Sequence, residues 1–544
     1  MNTVSLSEAQ RICGAFNSGT FALLDVRERW EYTDGHIPHA TPLPRGLIES
    51  RAAVIIPDRQ ATILLYSGKT GRAALAAAQL EALGFADVSL IDGGFEAWKE
   101  AGLPSVTGWS VDGKHLGELL IDKYEKLSLP PREVAELQQQ RRTKVIDIRT
   151  AWEHAQGYIP GAENIPAGEL FERGEALRAD MERKGLDTII THCSGRTRGL
   201  AGATVLRDMG FERAFALENG CMGWLLAGLP MEFDKTPAYE ENNAPQKPWN
   251  AAAVASYPSL SVEDLRRERA VEPQAAYLLD VRMGVEFRQG HIPGSISIPA
   301  GQVMLEFENY CAQRGLPVII VARSAEQAAW VATSLSAVGF PVSILEGGFA
   351  AWATAGLPQE TGLPSHELLR GLEDRMASGE VPVVAPESLL AADGSTLRED
   401  LLVVDVRSLG EWAIDHIPGA RSVPRGQLEQ AMAGRQRQGE DKKECRLLSA
   451  ARVILVSERG HRAALAWEAL SRVPLLTGRL AVLAGGMAAW RGKALPLGCE
   501  DVATTLATHD TVAKVSRKIW TQNIGANQDA MQEYLDWEEK LVSR

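Results

Sequence analysis

The 544-residue sequence is poor in cysteine. It has six, Cys13, Cys193, Cys221, Cys311, Cys445 and Cys499, and none falls in a Cys-x-x-Cys or other tight spacing. That spacing argues against a zinc site and against a disulfide-stapled secreted scaffold, so neither a metal nor another cofactor is expected. Positive charge is outweighed as well: 57 Lys and Arg stand against 70 Asp and Glu, for a net charge of −13. A nucleic-acid groove has no support in that balance, although a small basic pocket for an anionic substrate needs only local charge. No apolar run approaches the length that spans a bilayer. The opening MNTVSLSEAQ has neither the basic nor the apolar region of a secretory leader. No membrane partner is expected, and a cytoplasmic location is. What is present is an ordinary globular balance, 45% hydrophobic and 23% charged, in a chain with room for roughly three to five domains.

Self-comparison shows an internal repeat. LLDVRERWEYTDGHIPHA from Leu23, VIDIRTAWEHAQGYIPGA from Val145, LLDVRMGVEFRQGHIPGS from Leu278 and VVDVRSLGEWAIDHIPGA from Val403 share one pattern. In each, an apolar run ends at Asp-x-Arg and a Glu follows four residues after the Arg: Arg27 and Glu31, Arg149 and Glu153, Arg282 and Glu286, Arg407 and Glu411. Each copy also closes alike, with Trp98, Trp224, Trp352 and Trp490 at matching places. Between start and end lies a strand, a tight loop and a helix. In copy one these are TILLYS and the alanine-rich GRAALAAAQLEALG, stopped by Gly84. Strands alternating with helices at this spacing predict a parallel α/β sheet in every copy. The period is that of whole domains, placed at 1–108, 126–232, 258–360 and 384–498, with a helical tail over 499–544. The Pro- and Asn-rich stretch Phe233 to Asn250 reads as a flexible linker that divides the chain into two halves. The apolar residues of the tail can pack on the domains or on a partner chain.

The Asp-x-Arg-x-x-x-Glu stretch leading to Gly-His-Ile-Pro-Gly-Ala, then a Cys loop and a Gly-Gly-x-x-x-Trp ending, resembles the rhodanese family over nearly all of the chain. The resemblance implies a five-stranded parallel sheet flanked by helices in each domain. It also implies a reactive cysteine on a loop that opens a helix. Aligned on the downstream Ala-rich helix, the loops are SGKTGR (Ser67 to Arg72), CSGRTR (Cys193 to Arg198), ARSAEQ (Ala322 to Gln327) and SERGHR (Ser457 to Arg462). The nucleophile position is thus Ser67, Cys193, Ala322 and Ser457, and only copy two has a thiol there.

The residues support Cys193 independently of the resemblance. A loop running from a strand into a helix N-terminus turns backbone N–H groups inward as an anion cradle. A thiol at its base is stabilised as thiolate, and Arg196 and Arg198 add positive charge. Such a thiolate can take the outer sulfur of a small anionic donor such as thiosulfate and hold it as a persulfide, for delivery to a thiol or cyanide acceptor. Ser194, Gly195, Arg196, Thr197 and Arg198 are the expected donor-binding residues, the guanidinium groups holding the sulfonate. Cys221, next to Gly220 in the closing turn, is a candidate resolving thiol. Cys13, Cys311, Cys445 and Cys499 read as packing residues, and His192 as the last residue of its strand rather than a base. The Asp-Arg-Glu set and the tryptophans read as structural. The loop departs from the family pattern in having Arg196 where a Gly is usual, and Tyr158 replaces the His of Gly-His-Ile-Pro. The first adds charge inside the cradle and the second is expected to affect packing alone. Rival readings are a mercaptopyruvate donor and a largely non-catalytic scaffold that binds partners. A phosphatase is disfavoured, because four rather than five residues separate Cys193 from Arg198.

Overall fold

The structure, a computed structural model, describes residues 2–15, 21–68, 71–119, 126–155, 157–233, 255–271, 276–362, 367–428, 450–498 and 528–540. Within these, four five-stranded sheets share one strand order, first–fifth–fourth–second–third, with every pairing parallel. Parallel neighbours require crossovers, and helices supply them on both faces, as the repeat of strand and helix patterns predicts. In copy two the strands are Ser128–Leu129, Thr143–Asp147, Glu163–Asn164, Thr188–His192 and Ala214–Leu217. The strand that precedes the cysteine loop is the third apolar run in sequence but the fourth strand of the sheet. The missed neighbour is only two residues long, too short to register as a run.

Side chains alternate across the sheet. Ile146, Ile148 and Ile189 join Phe171, Leu177 and Val205 on one face; Val145, Ile190 and Leu217 join Trp224 on the other. Both sides are covered, which explains why the strands read as continuous apolar runs rather than alternating ones. The four tryptophans are buried and donate from Nε1 to the carbonyls of Pro104, Pro230, Pro358 and Pro496 at 2.7–2.8 Å. Each closes its domain by burying a large ring whose one polar atom is satisfied.

The chain divides into two compact units. One combines copy one with copy four, the other copy two with copy three and the C-terminal segment. The expectation of two halves split at Phe233 to Asn250 is therefore corrected: that stretch lies inside the second unit, and 234–254 lie outside the described residues. The physical reason is in the contacts. In the first unit Arg425 reaches Glu49 at 2.7 and 2.5 Å, and Arg45 Nε donates to the carbonyl of Gly426 at 3.3 Å. In the second, Gln327 donates to the carbonyl of Gly168 at 2.8 Å and Arg323 to Glu172 at 2.6 Å. Both units use the segment after the third strand, and glycine lets the backbones meet: a Cβ on Gly46 would stand 3.1 Å from Gly426 N, and one on Gly168 3.0 Å from Ala300 Cβ.

Candidate active site

The carboxyl ends of the second and fourth strands are adjacent in the sheet, the place where open parallel sheets bind ligands. In copy two these ends are Asp147 and His192. The strand Thr188–His192 is fully buried, the helix Thr197–Asp208 follows, and Cys193 to Arg196 connect them. The closing turn clamps the loop: Cys221 N donates to Cys193 O at 2.9 Å and Met222 N to Ser194 O at 3.0 Å. The turn comes so close that a Cβ on Gly220 would stand 2.4 Å from Cys193 O, and at φ +51° the position suits glycine for conformation as well.

The serine copies show where a side chain at the nucleophile position points. Ser67 Oγ accepts from Ala73 N at 3.1 Å and Ser457 Oγ from Ala463 N at 3.2 Å, each an amide in the first turn of the following helix. The equivalent residues in copy two are Cys193 and Gly199. Position 193 lies just before the N-terminus of the helix Thr197–Asp208. Cys193 is 4% exposed.

Arg198 is placed differently from its expected role. Its guanidinium is buried and makes a two-pronged pair with Glu153 at 2.9 and 2.6 Å. Burial acts against both charges, yet each outweighs it for the other: Glu153 is brought down to about 2 and Arg198 is raised. The same pair recurs as Arg72 with Glu31 and Arg462 with Glu411, in copies that have serine at the nucleophile position. In copy three Gln327 takes the Arg position, and Arg323 pairs with Glu286 at 2.9 Å instead. The arrangement is thus a fold device tying the loop helix to the helix after the second strand. The arrangement leaves Arg198 Nε buried without a hydrogen-bond partner, both terminal nitrogens serving Glu153. It also completes the Asp-Arg-Glu reading, because the Glu has its partner on the loop. Arg149 is fully buried, pairs with Asp147 at 2.6 Å, donates to Gly157 O at 2.6 Å and reaches Ser194 Oγ at 3.5 Å. Arg196 is half-buried on the loop.

Three features are peculiar to copy two. Other copies stack a histidine on an aromatic ring four residues earlier, Tyr32 with His36, Phe287 with His291 and Trp412 with His416. In copy two the partners are exchanged: His154 stacks on Tyr158 at 4.2 Å and its Nδ1 lies 2.8 Å from Asp147 Oδ2. The tyrosine substitution therefore places a histidine on the buried carboxylate, more than a packing change. His192 ends the strand as expected, and burial lowers its pKa to about 4, so it is neutral at pH 7. Cys221 has no exposure, its Sγ lies 3.4 Å from His192 Nδ1, and burial pushes its thiol up to about 12. It packs with Trp224 on one face of the sheet, whereas Cys193 belongs to the cluster on the other. A thiol so protonated and enclosed is poorly suited to resolve a persulfide. Cys13 is half-buried and Cys311 buried, its thiol also pushed up to about 12; Cys445 and Cys499 lie outside the described residues.

Sequence reasoning missed what lies on the loop. The C-terminal helix Gln528–Lys540 packs there. Glu538 Oε1 accepts from Thr197 Oγ1 at 3.1 Å and from Lys114 Nζ at 3.1 Å, and Lys114 also donates to Tyr534 Oη. Lys114 belongs to the helix Val111–Leu119 between copies one and two. A signal existed: Met531, Tyr534, Leu535 and Glu538 form a buried helical stripe, and a glutamate in an apolar stripe is an anomaly. Among the described residues no group of three or more His, Cys, Asp or Glu is placed to share a metal ion, and no helix is long and apolar enough to cross a membrane.

Comparison with known proteins agrees with this geometry. The family model described as "Rhodanese-like domain" matches residues 8–101, 130–227, 261–355 and 390–493. A solved structure of thiosulfate sulfurtransferase from Pseudomonas aeruginosa is 28% identical, with a TM-score of 0.77 over 100% of this chain and 97% of that one. The 3-mercaptopyruvate sulfurtransferase of Escherichia coli K12 is 27% identical over 246 residues, 39% of this chain and 87% of the relative. A HTH-type transcriptional regulator of Mycobacterium tuberculosis, Rv0324, is 30% identical over 129 residues, and the match spans about half of that protein, 54%. Four matched segments and four sheets of one topology lead to one conclusion: the chain belongs to the rhodanese-like domain family, with four such domains in tandem.

Proposed function

We propose that copy two is a thiosulfate sulfurtransferase in which Cys193 carries the transferred sulfur. The observation that carries this reading is the comparison of the four loops. Ser67 and Ser457 accept from the helix amide through a hydroxyl, Ala322 offers no nucleophile, and of the four residues at that position Cys193 alone carries a thiol. The Cys193 thiolate attacks the outer sulfur of thiosulfate. The new bond is Cys193 S–S, the S–S bond of the donor breaks, and sulfite leaves with the bonding pair. The terminal sulfur then carries the negative charge, facing the first-turn amides of the helix Thr197–Asp208. Cyanide or a thiolate attacks that sulfur, thiocyanate or a new persulfide departs, and the Cys193 thiolate is restored. His192 beneath the loop is neutral at pH 7. Ser194 is reached by Arg149, Gly195 lets the C-terminal helix approach the loop closely, and Arg196 and Thr197 supply the remaining polar groups of the donor site.

Similarity to a relative named 3-mercaptopyruvate sulfurtransferase keeps that donor as the second reading. Steady-state transfer to cyanide with each donor separates the two. Higher kcat/KM with thiosulfate is expected, and a large preference for mercaptopyruvate would overturn the donor assignment.

A further inference from the structure

The C-terminal helix lies over the loop that holds Cys193, and its contacts there have the form of a bound ligand. Lys114 is a buried ammonium, 5% exposed, among side chains that include Tyr534 and Trp537, whose rings lie 4.5 and 5.3 Å from Nζ. Burial of a lysine favours its neutral form; here Glu538 and Tyr534 more than offset that and the charge is kept. Glu538 is 1% exposed and unevenly satisfied: Oε1 takes both Lys114 Nζ and Thr197 Oγ1, while Oε2 is buried without a hydrogen-bond partner. Oε2 points over the loop, 3.2 Å from where a Cβ of Gly195 would be, with Tyr534 Cε1 3.4 Å from the same place. The second helix is equally close, since a Cβ on Gly117 would stand 2.3 Å from Thr197 Cγ2. A carboxylate serving only to anchor a helix gains nothing from a bare buried oxygen above the loop, since that oxygen has lost its solvation without a partner in return.

We propose that Lys114 Nζ and Thr197 Oγ1 form an oxyanion subsite beside Cys193, held in this structure by the Glu538 carboxylate as an internal ligand. The ligand class is a small sulfur oxyanion, the sulfonate end of thiosulfate or the sulfite it releases. The C-terminal helix competes with the donor for one ammonium and one hydroxyl, so the tail of the chain sets the donor affinity of copy two. Lys114 lies outside all four repeats, and neither it nor the tail is reached by the loop comparison. The inference rests on the sulfurtransferase reading for its choice of ligand.

The test uses the full chain and equilibrium binding of thiosulfate by calorimetry to the Cys193→Ser variant, where no turnover occurs. Adding Glu538→Gln removes the internal charge and is expected to tighten binding at least ten-fold. Adding Lys114→Met to that double variant is expected to cancel the gain. Unchanged or weaker binding with Glu538→Gln would overturn the subsite. So would equal tightening by Lys114→Met alone, since that is what a helix acting only as a cover would give. Near-ultraviolet circular dichroism checks that Tyr534 and Trp537 stay packed in each variant; loss of that signal in Glu538→Gln, with the affinity gain surviving Lys114→Met, also overturns the subsite. Failure here is distinct from failure of the function: sulfur loading of the unmodified chain is measured separately by mass.

Discussion

Serine and cysteine differ by one atom, and in this chain that atom separates the copies. Ser67 and Ser457 fill the nucleophile position without strain and satisfy a helix amide at 3.1 and 3.2 Å. A hydroxyl with no adjacent base stays protonated, so these loops keep the shape of the site and lose its reactivity. Replacing Ser67 and Ser457 by Ala removes two hydrogen bonds at the first and one at the second, each a loss of about 0.5–1.5 kcal/mol. Sulfur transfer to cyanide is expected to stay within two-fold of the unmodified chain by any order-of-magnitude reckoning of remote substitutions. A drop as large as that from Cys193→Ser would show that the serine copies take part. The buried charges behave differently. Arg149 and Arg198 are both buried and paired with carboxylates, with Arg198 Nε left without a hydrogen-bond partner.

At the scale of elements, charge also decides how copy two meets copy three. Glu172, on the helix Leu170–Lys184, pairs with Arg323 at 2.6 Å, with Glu169 and Glu286 close by. Burial is the larger effect and lifts Glu172 to about 7, with Arg323 opposing it and the two acidic neighbours adding to it. A carboxyl raised from 4.5 when folded contributes stability that is complete below pH 4.5 and lost as pH rises through 7. Thermal melts of the unmodified chain and Glu172→Gln at pH 5 and pH 8 test this. The variant is expected to gain on the unmodified chain at pH 8, and a gap that does not change with pH would refute it. These same elements show what the sequence made legible. Apolar runs, the Asp-x-Arg motif and the tryptophan endings located each sheet and the loop, because they are local and occur four times. Pairings such as Lys114 with Glu538 or Arg323 with Glu172 were not legible. They join residues far apart in the chain, single-copy in the first case, and charge alone does not say which partner a residue finds. The partner of Arg198 was not legible either, because a basic residue beside a cysteine reads the same in sequence whether it faces a ligand or a buried glutamate.

For the whole molecule, four domains of one topology pack as two pairs, copy one with four and copy two with three. Each unit joins its two domains through the segment after the third strand, where Gly46 meets Gly426 and Gly168 meets Ala300. Two-domain packing is thus repeated, and only one of four loops keeps a thiol. Copy three braces copy two: Gln302 reaches Glu153 at 3.5 Å, next to the pair that holds the loop helix. The C-terminal helix adds a further layer over the same loop. The central claim, a single sulfur carried on Cys193, is tested most directly by intact-protein mass spectrometry after incubation with thiosulfate. A gain of one sulfur atom per chain is expected, mapped to the peptide containing Cys193 and absent from Cys193→Ser. A gain that persists in Cys193→Ser, or no gain in the unmodified chain, would contradict it.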